Sequence, residues 1–425
     1  MVIIGTYWYL FKHFMVRLIP QAYLEVLKRR DFLLLILANF LFQTSTSFIL
    51  LALIVSVFAQ TGSNFGVSGV ILSFALPGFL MIAFAGLAAD LFDRKKVMIA
   101  ANIVQALVVL GILSTLREVI ASIAFSFAYF AANSFFLPAS SAASAQLVRR
   151  SQLLASNSLF ILSLAGGQLF GFFAASVIHF FWGNVWVLIL CEAITILVIW
   201  LLLLLPKLYP GKSLEALVVR TIRQIKTSLT LIFSKKTMGI FFIIFSLMQG
   251  IIAFGVTLAP GFFDEVVGIA IDKSPLFIFP MIAVGVALGI IFVNNPKMRE
   301  SVFVAAGFGL MGIGGFVLGA ILQFGLVSGI YLLLPVGGFL TVVGFGVIVA
   351  TIASRTVLQK NVANNFQGTV FGTAVVLASF LASLFSPAAA GLEALVGYNN
   401  ILLFGGVIFV ILAVLIARAG TKWKF

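Results

Sequence analysis

Two acids three residues apart, Asp90 and Asp93, run straight into a basic cluster, Arg94-Lys95-Lys96. In an enzyme an Asp-x-x-Asp pair can hold Mg²⁺ against a diphosphate, the chemistry of a membrane-embedded prenyl- or lipid-transferring enzyme. Such an enzyme needs a second acidic cluster facing the first. The nearest group, Asp264-Glu265 with Asp272, falls on the opposite membrane face once the spans below are counted. Gly211-Lys212-Ser213 resembles the end of a phosphate-binding loop, but Pro206 stands where that loop needs its first Gly. Cys191 is the single Cys, and the two His, His13 and His179, are far apart. A disulfide framework and Cys- or His-based metal sites are excluded on those counts. The expectation is a protein that is not an enzyme, with no cofactor, no metal and no catalytic residues.

One acid stands alone. Glu192 lies inside the apolar run 185–205, about 21 Å from Pro206 at the rise of an α-helix. An ionised acid deep in hydrocarbon costs a few kcal/mol. Glu192 is therefore a candidate proton-coupling site. The alternative is a structural residue, protonated or hydrogen-bonded, with His179 as a partner.

The elements that must position these residues follow from composition. Hydrophobic residues make up 62% of the 425 and charged ones only 9%, against roughly 25% charged in a soluble domain. The chain cannot clothe a water-facing surface. Apolar runs long enough to cross a bilayer fall at 32–59, 66–89, 97–116, 119–140, 153–180, 185–205, 237–262, 275–293, 301–323, 327–351, 368–391 and 399–417. The predicted fold is an all-α membrane protein of twelve transmembrane helices in two six-helix halves. The predicted organisation is a cytoplasmic N-terminal segment 1–31, an N-terminal half 32–205, a cytoplasmic linker 206–236, a C-terminal half 237–417 and a tail 418–425. Lys12 interrupts the first apolar stretch, so no cleavable signal is expected. In the linker Leu214, Leu217, Val218, Ile222, Ile225, Leu229 and Ile232 recur at helical spacing, with Arg220, Arg223 and Lys226 on the other side. That pattern predicts an amphipathic helix on the membrane surface. Tyr7, Trp8 and Tyr9 mark a weaker interfacial segment.

The net charge of +14 is one-sided. With the N-terminus cytoplasmic, every Lys and Arg except Arg117 and Lys273 falls on the cytoplasmic side, seven of them in the linker. This asymmetry orients a multi-pass protein of the cytoplasmic membrane with both termini inside. It gives no reason to expect nucleic acid.

The stretch Gly86-Leu-Ala-Ala-Asp90-Leu-Phe-Asp93-Arg94-Lys95-Lys96 resembles the signature between the second and third helices of the major facilitator superfamily. Phe136-Leu-Pro138 followed by Gln146-Leu-Val-Arg149-Arg150, Thr61-Gly62-Ser63, and Gln359-Lys-Asn361-Val362 with Gln367-Gly368 are similar to its macrolide-efflux and siderophore-exporter branch. Leu91, Thr369 and the Pro-less Gly166-Gly167-Gln168 depart from that branch's pattern. The resemblance implies alternating access by rocking of two halves. It implies a gating motif of Gly86, Asp90, Asp93, Arg94 and Lys95, with Gly86 giving close helix packing and Asp90 contacting a neighbouring helix end in one state.

The superfamily lines its cavity with helices 1, 4, 7 and 10. Here these carry polar stripes: Asn39, Gln43 and Ser47; Ser122, Ser126, Tyr129 and Asn133; Ser246, Gln249, Ala253 and Thr257; Gly337, Thr341, Gly344 and Thr351. Asn39, Gln43, Tyr129, Asn133, Gln249 and Thr341 are the candidate cavity residues. Helix–helix hydrogen bonding uses the same residue types. No stripe carries a charge, and the chain has 46 Phe. An uncharged, Phe-rich cavity suits bulky apolar or amphipathic compounds. The expected activity is proton-coupled efflux of such molecules by a monomer. A lipid transporter of the same fold, moving a lysophospholipid-like cargo, is the alternative.

Overall fold

The structure is a computed structural model that describes residues 21–115, 118–208, 230, 232–234, 236–271, 273–294, 298–362 and 364–420. The Tyr7-Trp8-Tyr9 segment, most of the linker helix, Arg117, Asp272, Lys297 and residues 421–425 lie outside them, as do the side chains of 364–369. After a short helix Gln21–Leu27 come α1 (Arg30–Thr61), α2 (Asn64–Leu91), α3 (Arg94–Ser114), α4 (Val119–Gln146), α5 (Leu153–Trp182) and α6 (Asn184–Leu203). The second set is α7 (Lys236–Gly261), α8 (Ser274–Val293), α9 (Glu300–Gln323), α10 (Leu333–Asn361) and one helical stretch, Asn364–Gly420, broken at Gly397. Its two arms, 364–396 and 398–420, are α11 and α12. Eleven of the described helices are long and apolar enough to cross a membrane, and the break at Gly397 makes the last of them two crossings. A helix satisfies its own backbone, which hydrocarbon demands.

The turns between consecutive helices are short for local reasons. Gly183 (φ 84°) and Gly397 (φ 74°) reverse the chain within a residue or two, a conformation that costs a side-chain-bearing residue strain. Ser63 caps α2 by accepting from the Phe65 N–H at 3.2 Å. Pro260 brings no N–H to α7, and the helix widens there into a π-turn, Phe262–Val267.

Odd and even helices point in opposite directions, so the bundle has a terminal end, where α1 begins and α12 finishes, and a distal end. In the first half α1 packs on α5 and α6, and α4 on α2 and α3; in the second, α8 and α9 pack on α10, and α7 on α10 and α11. The halves meet through α2 with α11, α2 with α7, and α5 with α8. Phe79 packs on Phe380 across the first contact, and Phe172 stacks on Phe279 across the last at 4.9 Å between ring centres.

The buried core shows how the halves sit. At the distal end one apolar cluster holds Phe48–Val55, Val70, Val109, Tyr129 and Leu188 together with Ala253 of α7 and Ala382 of α11. It therefore spans both halves. Toward the terminal end the clusters separate: Leu35, Phe42, Met98, Phe136 and Leu202 belong to the first half, and Phe241, Phe303, Phe308, Val349 and Val357 to the second. Among the described residues, the buried apolar core joins the halves distally and is divided between them toward the terminal end.

Candidate functional site

The α2–α3 turn ties four helix ends together within the first half. Asp93 caps α3, its Oδ1 accepting from the N–H of Lys95 at 3.0 Å and of Leu208 at 3.3 Å. The Arg94 guanidinium donates to the Ala89 carbonyl at the end of α2 (3.2 Å) and to Ala142 of α4 (3.1 Å). The Lys95 ammonium donates to Leu203 and Leu205 at the end of α6, at 2.8 and 2.6 Å. Cations at a helix C-terminus meet its unpaired carbonyls and negative dipole end. Asp90 sits half-buried beside Arg94. Gly86 differs from the sequence expectation: among the described residues nothing lies within 4 Å of the place a Cβ would take.

Asn39, Gln43 and Thr46 lie within about 60° of one another around α1, and Gln43 also borders Gly167 of α5. Asn39 is buried, its Nδ2 donating to its own turn at Leu35 (3.0 Å), and its Oδ1 accepts no hydrogen bond among the described residues. Asn133 of α4 donates to the Thr46 hydroxyl at 2.9 Å. Gln249 of α7 is exposed. The other two candidates are engaged with neighbours. Tyr129 is buried in the distal core, its hydroxyl 3.4 Å from Ser45 Oγ. Thr341 donates to Gly337 in its own helix, and its carbonyl lies where a Cβ on Gly285 of α8 would stand. Asn133 thus joins α4 to α1 through Thr46, and Tyr129 and Thr341 are set into helix contacts.

These relations match a known family along most of the chain. The family model described as Major Facilitator Superfamily matches residues 35–387. The chain belongs to the major facilitator superfamily. Solved structures agree at the level of fold. The nucleoside transporter NupG is 15% identical, with a TM-score of 0.68 over 92% of this chain and 99% of its own. A D-xylose-proton symporter is 18% identical, with a TM-score of 0.69 over 93% and 97%. A POT family transporter in complex with 5-aminolevulinic acid is 11% identical, with a TM-score of 0.73 over 93% and 96%. No curated protein sequence matches the chain.

As a major facilitator protein, the chain is a transporter built for alternating access, and the remaining stripe residues can be placed on that frame. Ser47 turns toward α5, donating to the Gln168 carbonyl at 3.1 Å. The sequence stripe ran 39, 43, 47, and each four-residue step advances 40° beyond a full turn. Two such steps leave the face, and Thr46, seven residues after Asn39, stays on it. Ser246 and Thr257 of α7 bond α11, to the Ala374 carbonyl and the Ser386 hydroxyl. Gly337 and Gly344 of α10 face α8.

Glu192 is half-buried on α6, and its Oε2 is buried and accepts no hydrogen bond among the described residues. Beside it in sequence, Cys191 and Thr195 join Ser45 of α1, with Thr195 Oγ1 2.8 Å from Ser45 Oγ. Gln105 of α3 is buried with neither amide atom bonded among the described residues. It lies eleven residues from the terminal start of α3, as Glu192 lies eleven from the terminal end of α6. The two share a depth of about 17 Å on helices that pack together. Sequence reading passed over Ser45, Thr46 and Gln105. Thr46 was within reach of a stricter 3.6-residue period, and Gln105 of a search for amides inside apolar runs.

Proposed function

We propose that this chain is a secondary active transporter that carries hydrophobic or amphipathic small molecules out across the cytoplasmic membrane, coupled to protons, as in the macrolide-efflux branch it resembles. The observation that carries this reading is the chemistry of the polar residues on α1, α4 and α7. Asn39, Gln43, Thr46, Asn133 and Gln249 are uncharged, so they supply hydrogen bonds but no clamp for a phosphate or a carboxylate. The basic lining at the terminal end supports a cytoplasmic location for that end and for both termini. In this reading that end receives cargo from the cytosol or the inner leaflet. Glu192 is the proton site in this reading, an acid inside a span with an unbonded carboxyl oxygen. The unit of function is a monomer in the lipid bilayer.

The test is uptake into proteoliposomes of a panel of dyes, macrolides, labelled lysolipid, nucleosides and sugars, with and without a pH gradient. Gradient-driven movement of the dyes or macrolides, abolished by a protonophore, is the expected result. Movement of lysolipid alone, or of only the polar solutes, would overturn the cargo assignment. Glu192→Gln is expected to remove the gradient dependence while substrate exchange continues. A variant that keeps that dependence takes Glu192 out of the coupling step.

A further inference from the structure

The seal at the distal end converges on one amide. Asn64, the first residue of α2, is 4% exposed. Its Nδ2 donates to the Tyr398 hydroxyl at 2.6 Å and to Glu393 Oε2 at 3.2 Å, and its Oδ1 accepts from the Gly261 N–H at 3.3 Å. A single side chain of the first half thus reaches α7, α11 and α12 of the second. Gly261 permits the contact, since a Cβ there would run into the Tyr398 hydroxyl and the Asn64 amide. Around this amide the packing is apolar, with Leu258, Ala389 and Tyr398 buried against Phe254, Phe262 and Ile401. One turn further in, Ser386 bonds Thr257 at 2.7 Å and reaches the Ser68 carbonyl at 3.5 Å.

We infer that Asn64 is the latch of the distal mouth, and that release of its amide from Gly261, Tyr398 and Glu393 is the step by which the transporter opens on that side. An amide suits this role. It donates and accepts at once, and it adds no charge beside Glu393, Asp264 and Glu265. The contacts are few and small, so they hold one state without trapping it. The inference uses only the alternating-access part of the proposed function.

Its test is thiol labelling of purified protein in a Cys191→Ser background, with Ser68→Cys reporting the distal mouth and Gln249→Cys the terminal side. Asn64→Ala is expected to raise labelling at the first reporter about tenfold, as for loss of a small group of hydrogen bonds, and to lower it at the second. Tyr398→Phe should do the same to a smaller extent. Asn64→Asp should open the mouth by setting a carboxylate against Glu393, and Glu393→Gln should reverse that opening. Unchanged labelling in Asn64→Ala would overturn the inference. So would increased labelling at both reporters, which marks general loosening. The assay needs neither cargo nor gradient, so its failure is distinct from a failure of the efflux and coupling assignments.

Discussion

Asn133 donates to the Thr46 hydroxyl at 2.9 Å and so joins α4 to α1. Thr46 in turn donates to Phe42 within its own helix at 2.9 Å, which leaves its oxygen free to accept. Asn133→Ala should cost about 1 kcal/mol, the scale of interhelical hydrogen bonds in membranes. Thr46→Val should cost a similar amount. The double variant should lose no more than the larger single loss, because both changes remove one bond. Thermal unfolding in detergent reads all three, and simple additivity would mean that the bond contributes nothing.

Lys95 holds the terminal end of α6 by two carbonyls. Lys95→Met should lower stability by about 1–2 kcal/mol, as expected for hydrogen bonds from a charged group. Asp93→Ala should lose about 1 kcal/mol as the cap of α3. A chemical or thermal melt of each variant checks this, and an unchanged midpoint in Lys95→Met would reduce the motif to a topology signal.

The α8–α10 contact is built on glycine from both sides. A Cβ on Gly285 would meet the Thr341 carbonyl, and one on Gly344 the Ile282 carbonyl. Close helix approach of this kind depends on small residues. Gly285→Leu should abolish the folded, monodisperse protein, and Gly285→Ala should lower the unfolding midpoint. Size-exclusion profile and melting temperature are the measurements, and wild-type behaviour of Gly285→Leu would contradict the packing.

Gly86 makes the opposite prediction. No described residue meets a Cβ placed there, so Gly86→Ala should leave the unfolding midpoint unchanged or slightly raised, as Ala favours helix over Gly. If α2 closes on a neighbour when the terminal end shuts, the same variant should slow turnover several-fold. Normal turnover would show that Gly86 meets no close neighbour in either state.

The chain's membrane character, its crossings and its basic end were legible in the sequence, because each rests on a one-dimensional count. Bilayer thickness sets a run length, and charge sidedness needs only the order of the loops. The stripes were less legible. Ser246, Thr257 and Gly344 have the residue types of a cavity wall, yet they face α11 and α8. A polar side chain that bonds a neighbouring helix and one that bonds a cargo obey the same chemistry, so type and spacing alone do not separate them. Glu192 could be found because a lone acid in an apolar run is costly wherever it points. Its unbonded oxygen became visible only in three dimensions.

The sequence by itself determined that this is a twelve-crossing transporter-like chain with one basic end, since those properties are sums over local runs. The tertiary structure decided which end is shut. Asn64 and Tyr398 are 334 positions apart in the chain, and they share a hydrogen bond at the distal mouth. A contact between residues so distant depends on how two six-helix halves rock against each other, and no local pattern encodes that angle.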